Sequence, residues 1–97
     1  MKWRFHPEAA EEFLQAAAHY AETGTSLGLA FIAAMEEAVG LLLEHPGLGQ
    51  EVSEGIRRHL LRRFPFSVYY TLENEQLFIL AVAHMKRRPE YWRERVD

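Results

Sequence analysis

The hydrophobic pattern of this chain changes its period once, and that change limits the folds that the chain can form. Before Pro46-Gly47, apolar residues recur every three to four positions, which indicates helices. After residue 55 they recur every two positions, which indicates strands. Helices followed by consecutive strands are typical of a two-layer α+β domain. We predict one such domain over residues 1–97, because a chain of this length builds a single core.

Two helices are predicted in the first part of the chain. The first covers "HPEAAEEFLQAAAHYAETG", with Pro7 at a first helical position. Its apolar stripe consists of Ala10, Phe13, Ala17 and Tyr20. The second covers "SLGLAFIAAMEEAVGLLLEHPG", and Thr25 or Ser26 is its expected N-cap. Because this second helix is apolar nearly all round, we expect the first helix on one flank and a sheet on the other.

The strands are predicted from the second part and from the first five residues. "MKWRF" is a short strand, and "IRRHLLRRF" and "FSVYYTLE" are two more. "LFILAVAH" is apolar on both faces, which indicates a central strand, and "ENEQ" is the turn before it. The predicted order is β-α-α-β-β-β, with two helices packed on a small antiparallel sheet and a basic tail after the last strand.

Composition excludes several classes of protein. The chain has no cysteine, so disulfides, zinc–thiolate sites and thiol nucleophiles are excluded. The longest apolar runs, 38–43 and 77–83, are shorter than the roughly 20 residues that a membrane span needs. The N-terminal segment becomes acidic where a signal peptide would become apolar. We expect a cytoplasmic protein that does not contact a membrane.

Charge is distributed unevenly along the chain, although its net value is −3. Residues 1–50 contain two bases and seven acids, whereas residues 51–97 contain nine bases and seven acids. The bases of the second part are Arg57, Arg58, Arg62, Arg63, Lys86, Arg87, Arg88, Arg93 and Arg95. With Tyr91 and Trp92 beside them, they could form a nucleic-acid surface, a docking surface for an acidic protein, or a solvated edge.

Few residues are candidates for catalysis. His59 and His84 lie in predicted strands beside arginines, and we interpret His84 as a structural histidine at a strand end. The adjacent pair Glu11-Glu12 is interpreted as solvated, because neighbours on a helix point about 100° apart. No nucleotide-binding, nucleophile-elbow or zinc-binding motif occurs, so we predict neither a cofactor nor a metal.

Three segments carry a resemblance to a known family: "FHPEAAEEFLQAAAHYAE", "GLAFIAAMEEAVGLLLEHPG" and "IRRHLLRRFPFSVYYTLENEQLFILAVAHMKRRPEYWRERV". In that order they resemble the RelE/ParE toxin superfamily of bacterial type II toxin–antitoxin pairs, whose members are often named plasmid stabilization proteins. The most specific pieces are "RRHLLRRFPFSVYY" and "AVAHMKRRPEYWRER". The resemblance covers nearly the whole chain. It implies two helices on a small antiparallel sheet, and an antitoxin partner.

The resemblance implies one of two activities. RelE-like members cut messenger RNA on the ribosome, whereas ParE-like members bind DNA gyrase and poison it. The C-terminal tyrosine of the nucleases falls on Tyr91, but two of their arginines fall on Ser67 and near Met85. Serine cannot replace a guanidinium, so the resemblance favours the ParE-like branch, which inhibits growth without cleaving RNA. A ribosome-dependent nuclease and an inactive antitoxin-binding domain remain alternatives. The nuclease candidates are His84, Arg87, Tyr91 and Arg93.

The antitoxin is expected to cover the basic strands and the tail, in a hetero-oligomer, and a homodimer is also open. The predicted partner-binding residues are Arg57, Arg58, Arg62, Arg63, Lys86, Arg87, Arg88, Tyr91, Trp92 and Arg93. The acidic helices are expected on the opposite side of the molecule from the tail.

Overall fold

Five strands form one sheet, in the order β1-β5-β4-β3-β2, and two helices cover one of its faces. The computed structural model describes residues 1–96, so only Asp97 of the predicted domain lies outside the described residues. The elements are β1 (Lys2–Phe5), α1 (Pro7–Thr23), α2 (Thr25–Glu44), β2 (Gln50–Ser53), β3 (Ile56–Leu60), β4 (Phe66–Glu73), β5 (Gln76–His84) and a short 3-10 helix (Tyr91–Arg95). The predicted α+β class is confirmed.

Helix α1 begins and ends at the residues that the sequence indicated. Its first residue is Pro7, and the backbone N–H of Glu8 donates to Nδ1 of His6 at 3.1 Å, which caps the start. Its C-cap is Gly24, which is also the N-cap of α2. The predicted capping of α2 by Thr25 or Ser26 is therefore wrong. No side chain caps that end, because the single-residue link brings Thr25 into the helix itself.

Two features of the sheet differ from the prediction. β2 was not predicted, because it is a four-residue edge strand with mostly exposed side chains and no alternating apolar pattern. β1 pairs parallel to β5, with Lys2 opposite Gln76, so the sheet is mixed rather than antiparallel. The period of a strand shows which faces are buried, but it does not show the direction of the neighbouring strand.

β5 lies between β1 and β4 and is buried on both faces, as predicted. Its ladder with β4 shifts register between the pairs Tyr69–Ala81 and Tyr70–Ile79, which leaves Leu80 as an extra residue. As a result Ile79 and Val82 both belong to the large core under the helices. Leu80 and Ala81 both belong to a small cluster on the other face.

Helix α2 contacts both of its predicted neighbours. The ring of Phe31 lies 6.0 Å from that of Phe13 on α1 and 5.2 Å from that of Phe66 on β4. The other side of α2 stays open, with Leu29 61% exposed and Leu41 38% exposed. By length and mean hydropathy of 1.7, α2 could span a membrane, but its buried side is the kind that a core helix presents.

Candidate functional site

The basic tail folds back onto the face of the sheet that the helices leave uncovered. Trp92 anchors it, because this side chain is 2% exposed and its ring lies 5.1 Å from that of Tyr69. It packs with Ile56, Leu80 and Ala81 in a small cluster. Trp92, predicted as a partner-binding surface residue, is thus placed in the interior. The prediction missed this because a tryptophan beside arginines in sequence gives no sign of which way it points.

Glu12 on α1 holds the tail against the sheet, because two side chains of the tail donate hydrogen bonds to its carboxylate. We call the set Glu12, Tyr91 and Arg95 the Glu12 clamp. The Arg95 guanidinium donates to both carboxylate oxygens of Glu12, at 2.9 and 2.8 Å, and the Tyr91 hydroxyl donates to Oε2 at 2.8 Å. The backbone N–H of Val82 donates to Oε1 at 2.9 Å. A forked arginine–carboxylate contact of this kind is among the stronger polar contacts in proteins.

Two predictions about the acidic residues of α1 are corrected by this clamp. Glu12 is not a solvated residue, because it is largely buried and fully hydrogen-bonded, whereas Glu11 beside it is exposed. The acids also do not all lie opposite the tail, since Arg95 contacts Glu12 and lies 3.8 Å from Glu8. The angle of about 100° between helical neighbours explains how one glutamate meets the sheet while the next faces solvent.

The clamp shifts two pKa values in opposite directions. Burial alone would raise the pKa of Glu12, but the hydrogen bonds from Arg95, Val82 and Tyr91 outweigh burial and lower it. Burial, together with the hydrogen bond to the Glu12 carboxylate and its charge, raises the pKa of Tyr91. Tyr91 therefore stays a neutral phenol, and its hydroxyl proton is used in the hydrogen bond to Glu12.

Beside the clamp lies a cleft of about 200 Å³, which we call the arginine cleft. β3, β4, β5 and the tail each contribute to it. Its lining residues are Arg58, Leu60, Ser67, Tyr69, Ala83, His84, Met85, Arg87, Arg88, Pro89 and Tyr91. Three of these are arginines and none is acidic. Arg87 lies 3.9 Å from Glu12 just outside the cleft, whereas Arg58 and Arg88 have no acidic partner within the described residues, so the cleft keeps a positive charge that suits it to hold an anion.

Alternation along β3 places its two arginines on opposite faces of the sheet. Arg58 shares a face with Ile56 of the small cluster and lines the arginine cleft. Arg57 points to the other face, where its Nη1 donates to the carbonyls of Gly49 at 2.6 Å and Gly47 at 3.2 Å. Arg57 therefore fixes the loop before β2, although it was predicted to bind a partner.

The remaining predicted bases lie outside the cleft. Arg62 and Arg63 line a separate groove beside α2, and Arg62 makes an exposed contact of 3.9 Å with Glu37. Arg93 donates to Ser53 at 3.1 Å and to Glu90 at 3.0 Å. Lys86 is exposed at the start of the tail and is not among the lining residues.

The structure brings together three of the four nuclease candidates, His84, Arg87 and Tyr91, and places Arg93 elsewhere. Nδ1 of His84 accepts from the backbone N–H of Lys86 at 3.0 Å. The Arg87 guanidinium stacks on the Tyr91 ring at 3.8 Å. Because the Tyr91 hydroxyl is held by Glu12, the arrangement favours binding of an anion over proton transfer to one.

Sequence reasoning missed four polar residues of this region as site residues. Tyr69 and Ser67 line the cleft, and Glu12 and Arg95 form the clamp. For Tyr69 and Ser67 a signal existed, because side chains two positions apart on a strand share one face. In the structure that face pairs Tyr69 with Arg58 and Ser67 with Ala83, and both partners line the cleft. For Glu12 no local signal existed, because its partner Arg95 lies 83 residues away.

Comparison with known proteins identifies the family of this fold. The model of the family described as "ParE toxin of type II toxin-antitoxin system, parDE" matches residues 3–89. This chain belongs to the ParE toxin family. The match spans α1, α2, four complete strands, β1 without its first residue and the three cleft arginines of this ParE-family chain, and it ends before the 3-10 helix. The predicted resemblance to the ParE-like branch is confirmed.

A solved structure has the same fold as this ParE-family chain. It is described as "Chromosomal ParDE TA system from P. aeruginosa", and the two chains share 24% sequence identity with a TM-score of 0.74. The alignment covers 87% of this chain and 95% of the other. At this identity the likeness concerns the fold alone. No curated protein sequence matches the chain.

Proposed function

We propose that this ParE-family chain is a cytoplasmic toxin that stops growth by binding a protein target, with DNA gyrase as that target. A cognate antitoxin silences it in a hetero-oligomer. The observation that carries the proposal is the arginine cleft, which offers three arginines and no acid beside a tyrosine that is already hydrogen-bonded. Such a surface is suited to holding an anionic group of another macromolecule rather than to acid–base chemistry.

Two contacts support binding over RNA cleavage. The Tyr91 hydroxyl donates to Glu12 at 2.8 Å, and its raised pKa makes the phenol a poor proton donor and keeps the basic phenolate from forming. Ser67 lies in the cleft where, by the resemblance, a nuclease carries an arginine. Loss of one such donor lowers the rate of charge-stabilised catalysis by about 10²–10³. Gyrase is proposed as the target because the chain matches the ParE family model.

Ribosome-dependent cleavage of messenger RNA is the second candidate. The observation in its favour is that His84, Arg87 and Tyr91 line one cleft. A nuclease of this kind would have to release Tyr91 from the Glu12 clamp before the phenol could act.

The test is to induce the protein without its antitoxin in bacteria and to follow thymidine and methionine incorporation over the first minutes. We expect DNA synthesis to fail first. A purified-gyrase supercoiling assay should then show inhibition that disappears on addition of the antitoxin. The matched controls are Tyr91→Phe, which removes only the hydroxyl, and Arg4→Gln, which changes an exposed arginine outside the cleft.

Three other results would overturn this proposal. Translation collapsing before DNA synthesis, with Tyr91→Phe abolishing the effect, would establish the nuclease. Arrest of neither process would leave an inactive domain that only binds an antitoxin. Growth arrest with unimpaired gyrase and unimpaired translation would assign the toxin a different target.

A further inference from the structure

We propose that the arginine cleft is a receptor for one carboxylate side chain, an aspartate or glutamate, carried by the toxin-binding segment of the antitoxin. This inference rests on the proposed function, because it assumes that an antitoxin binds the chain. It goes further by naming the cleft as the contact and the carboxylate as the group that is recognised.

The charges around the cleft are the first observation. Arg58 is half-buried, and within residues 1–96 its guanidinium has neither an ion pair nor a hydrogen bond. Arg88 likewise has no acidic partner within this part of the chain. A half-buried charge without a partner is unfavourable, so an anion that enters the cleft would stabilise Arg58, and the exposed Arg88 would add a second positive charge beside it.

The second observation is that the tail already recognises a carboxylate next to the cleft. In the Glu12 clamp, a guanidinium, a phenol hydroxyl and a backbone N–H share the oxygens of one carboxylate. Arg87 stands at the boundary between clamp and cleft, stacked on Tyr91 at 3.8 Å and only 3.9 Å from Glu12. The distance to Glu12 is too long for a hydrogen bond, so most N–H donors of Arg87 stay available for another anion. The stacking keeps the Arg87 side chain beside the Tyr91 ring before a partner binds.

Size favours a side chain over a nucleotide. The cleft has a volume of about 200 Å³, whereas pockets for small molecules usually measure roughly 300–1,000 Å³. Within the described residues, the hydroxyl groups of Ser67 and Tyr69 have no hydrogen-bond partner, so they add two donors for a carboxylate. A net charge of −3 opposes binding to nucleic acid over a longer surface, whereas it does not prevent one acidic side chain from entering.

The experiment is to measure the dissociation constant between the toxin and its cognate antitoxin, for the wild type, Arg58→Gln and Arg58→Lys. Arg4→Gln is the matched control, because it removes the same charge from an exposed residue of β1 that lies outside the cleft and outside the predicted partner-binding set. We expect Arg58→Gln to weaken binding about tenfold or more, since truncating one partner of a desolvated charge pair acts mainly on dissociation. Arg4→Gln should weaken it less than twofold, and Arg58→Lys should lie between them.

The acidic partner is then located by replacing each Asp or Glu of the antitoxin with Asn or Gln, one at a time. One replacement should weaken binding to the wild type, yet have little further effect on Arg58→Gln, because the two residues form one contact. Circular dichroism and a thermal melt of each toxin variant separate loss of folding from loss of contact. Arg58→Lys keeps the charge and provides the test if Arg58→Gln does not fold.

The outcomes are distinguishable. Equal effects of Arg58→Gln and Arg4→Gln, or no antitoxin acid coupled to Arg58, would refute the receptor while antitoxin binding itself stands. No binding of the wild type to the antitoxin would refute the proposed function and the receptor together. Binding of a single-stranded RNA oligonucleotide that is lost in Arg58→Gln, with antitoxin affinity unchanged, would make the cleft a nucleic-acid site.

Discussion

On one face of the sheet, α1 and α2 cover a continuous apolar core that includes Phe31, Leu42, Val68 and Ile79. On the other face, a short 3-10 helix covers a small cluster of Ile56, Leu80, Ala81 and Trp92. The helix side is held mainly by burial of apolar surface, which is not directional. The tail side adds a carboxylate with specific hydrogen-bond partners. The comparison teaches that the scaffold and the binding surface depend on different forces, and that the arginine cleft lies on the less deeply packed side.

The largest effect is expected on the helix side. Phe31→Ala should lower the free energy of unfolding by about 3–5 kcal/mol, because the fully buried ring leaves a cavity among Phe13, Phe64 and Phe66. Urea denaturation followed by circular dichroism measures this loss. Leu29→Ala in the same helix is the control, and it should change stability by less than about 0.5 kcal/mol because Leu29 is exposed. Similar losses for the two variants would contradict the assignment of the core.

Loss of a contact on the tail side should lower the free energy of unfolding less, and its effect should be confined to the tail. Glu12→Gln removes the charge that Arg95 and Tyr91 contact, and we expect a loss of roughly 1–3 kcal/mol. Hydrogen exchange should increase in the 3-10 helix while α2 stays protected. Glu11→Gln serves as the control, because Glu11 is the exposed neighbour on the same helix. Uniform deprotection of the whole sheet in Glu12→Gln would show that the two sides are not separable.

The sequence could predict the helix side better than the tail side, for a physical reason. Buried residues of a helix or strand recur at a fixed spacing along the sequence. The apolar stripe of α1 and the central position of β5 can therefore be predicted from short segments of sequence. The Glu12 clamp depends on two residues 83 positions apart, and no local pattern records such a contact. The burial of Trp92 depends in turn on where that clamp places the tail. The short edge strand β2 was missed because it has almost no buried side to reveal it.

Acid should weaken both sides, in different pH ranges. On the helix side, burial lowers the pKa of His59 below 6.5, so the folded state binds fewer protons than the unfolded state and stability falls as the pH drops below about 6.5. On the tail side, the pKa of Glu12 is lowered from 4.5, so its contribution is full above about pH 4.5 and is lost at lower pH.

Chemical denaturation between pH 3 and pH 8 measures both ranges. His59→Gln should flatten the stability profile just below about pH 6.5, and Glu12→Gln should flatten it below about pH 4.5. A profile of His59→Gln that matches the wild type throughout would assign the upper range to other groups.

The smallest effect is expected from the exposed ion pair of Arg62 and Glu37, which joins an arginine to a glutamate as the clamp does. Arg62 and Glu37 approach to 3.9 Å, but both side chains are exposed. Arg62→Gln should therefore change the free energy of unfolding by less than about 1 kcal/mol, and 0.5 M salt should remove the difference. Comparing this variant with Glu12→Gln at low and high salt sharpens the contrast, since the buried clamp should keep most of its contribution. Equal salt sensitivity would mean that burial does not protect the clamp.

The central position of β5 has a consequence for synthesis on the ribosome. β5 pairs with β1 and with β4, yet it follows both of them in the chain. While the chain is emerging, α1 and α2 can already form, but β1 has no sheet neighbour until Gln76–His84 has left the exit tunnel. The arginine cleft draws residues from β3, β4, β5 and the tail, so it too is absent until then. A nascent chain therefore does not yet present the arginine cleft. An antitoxin could bind the cleft only after β5 has paired with β4 and completed the sheet.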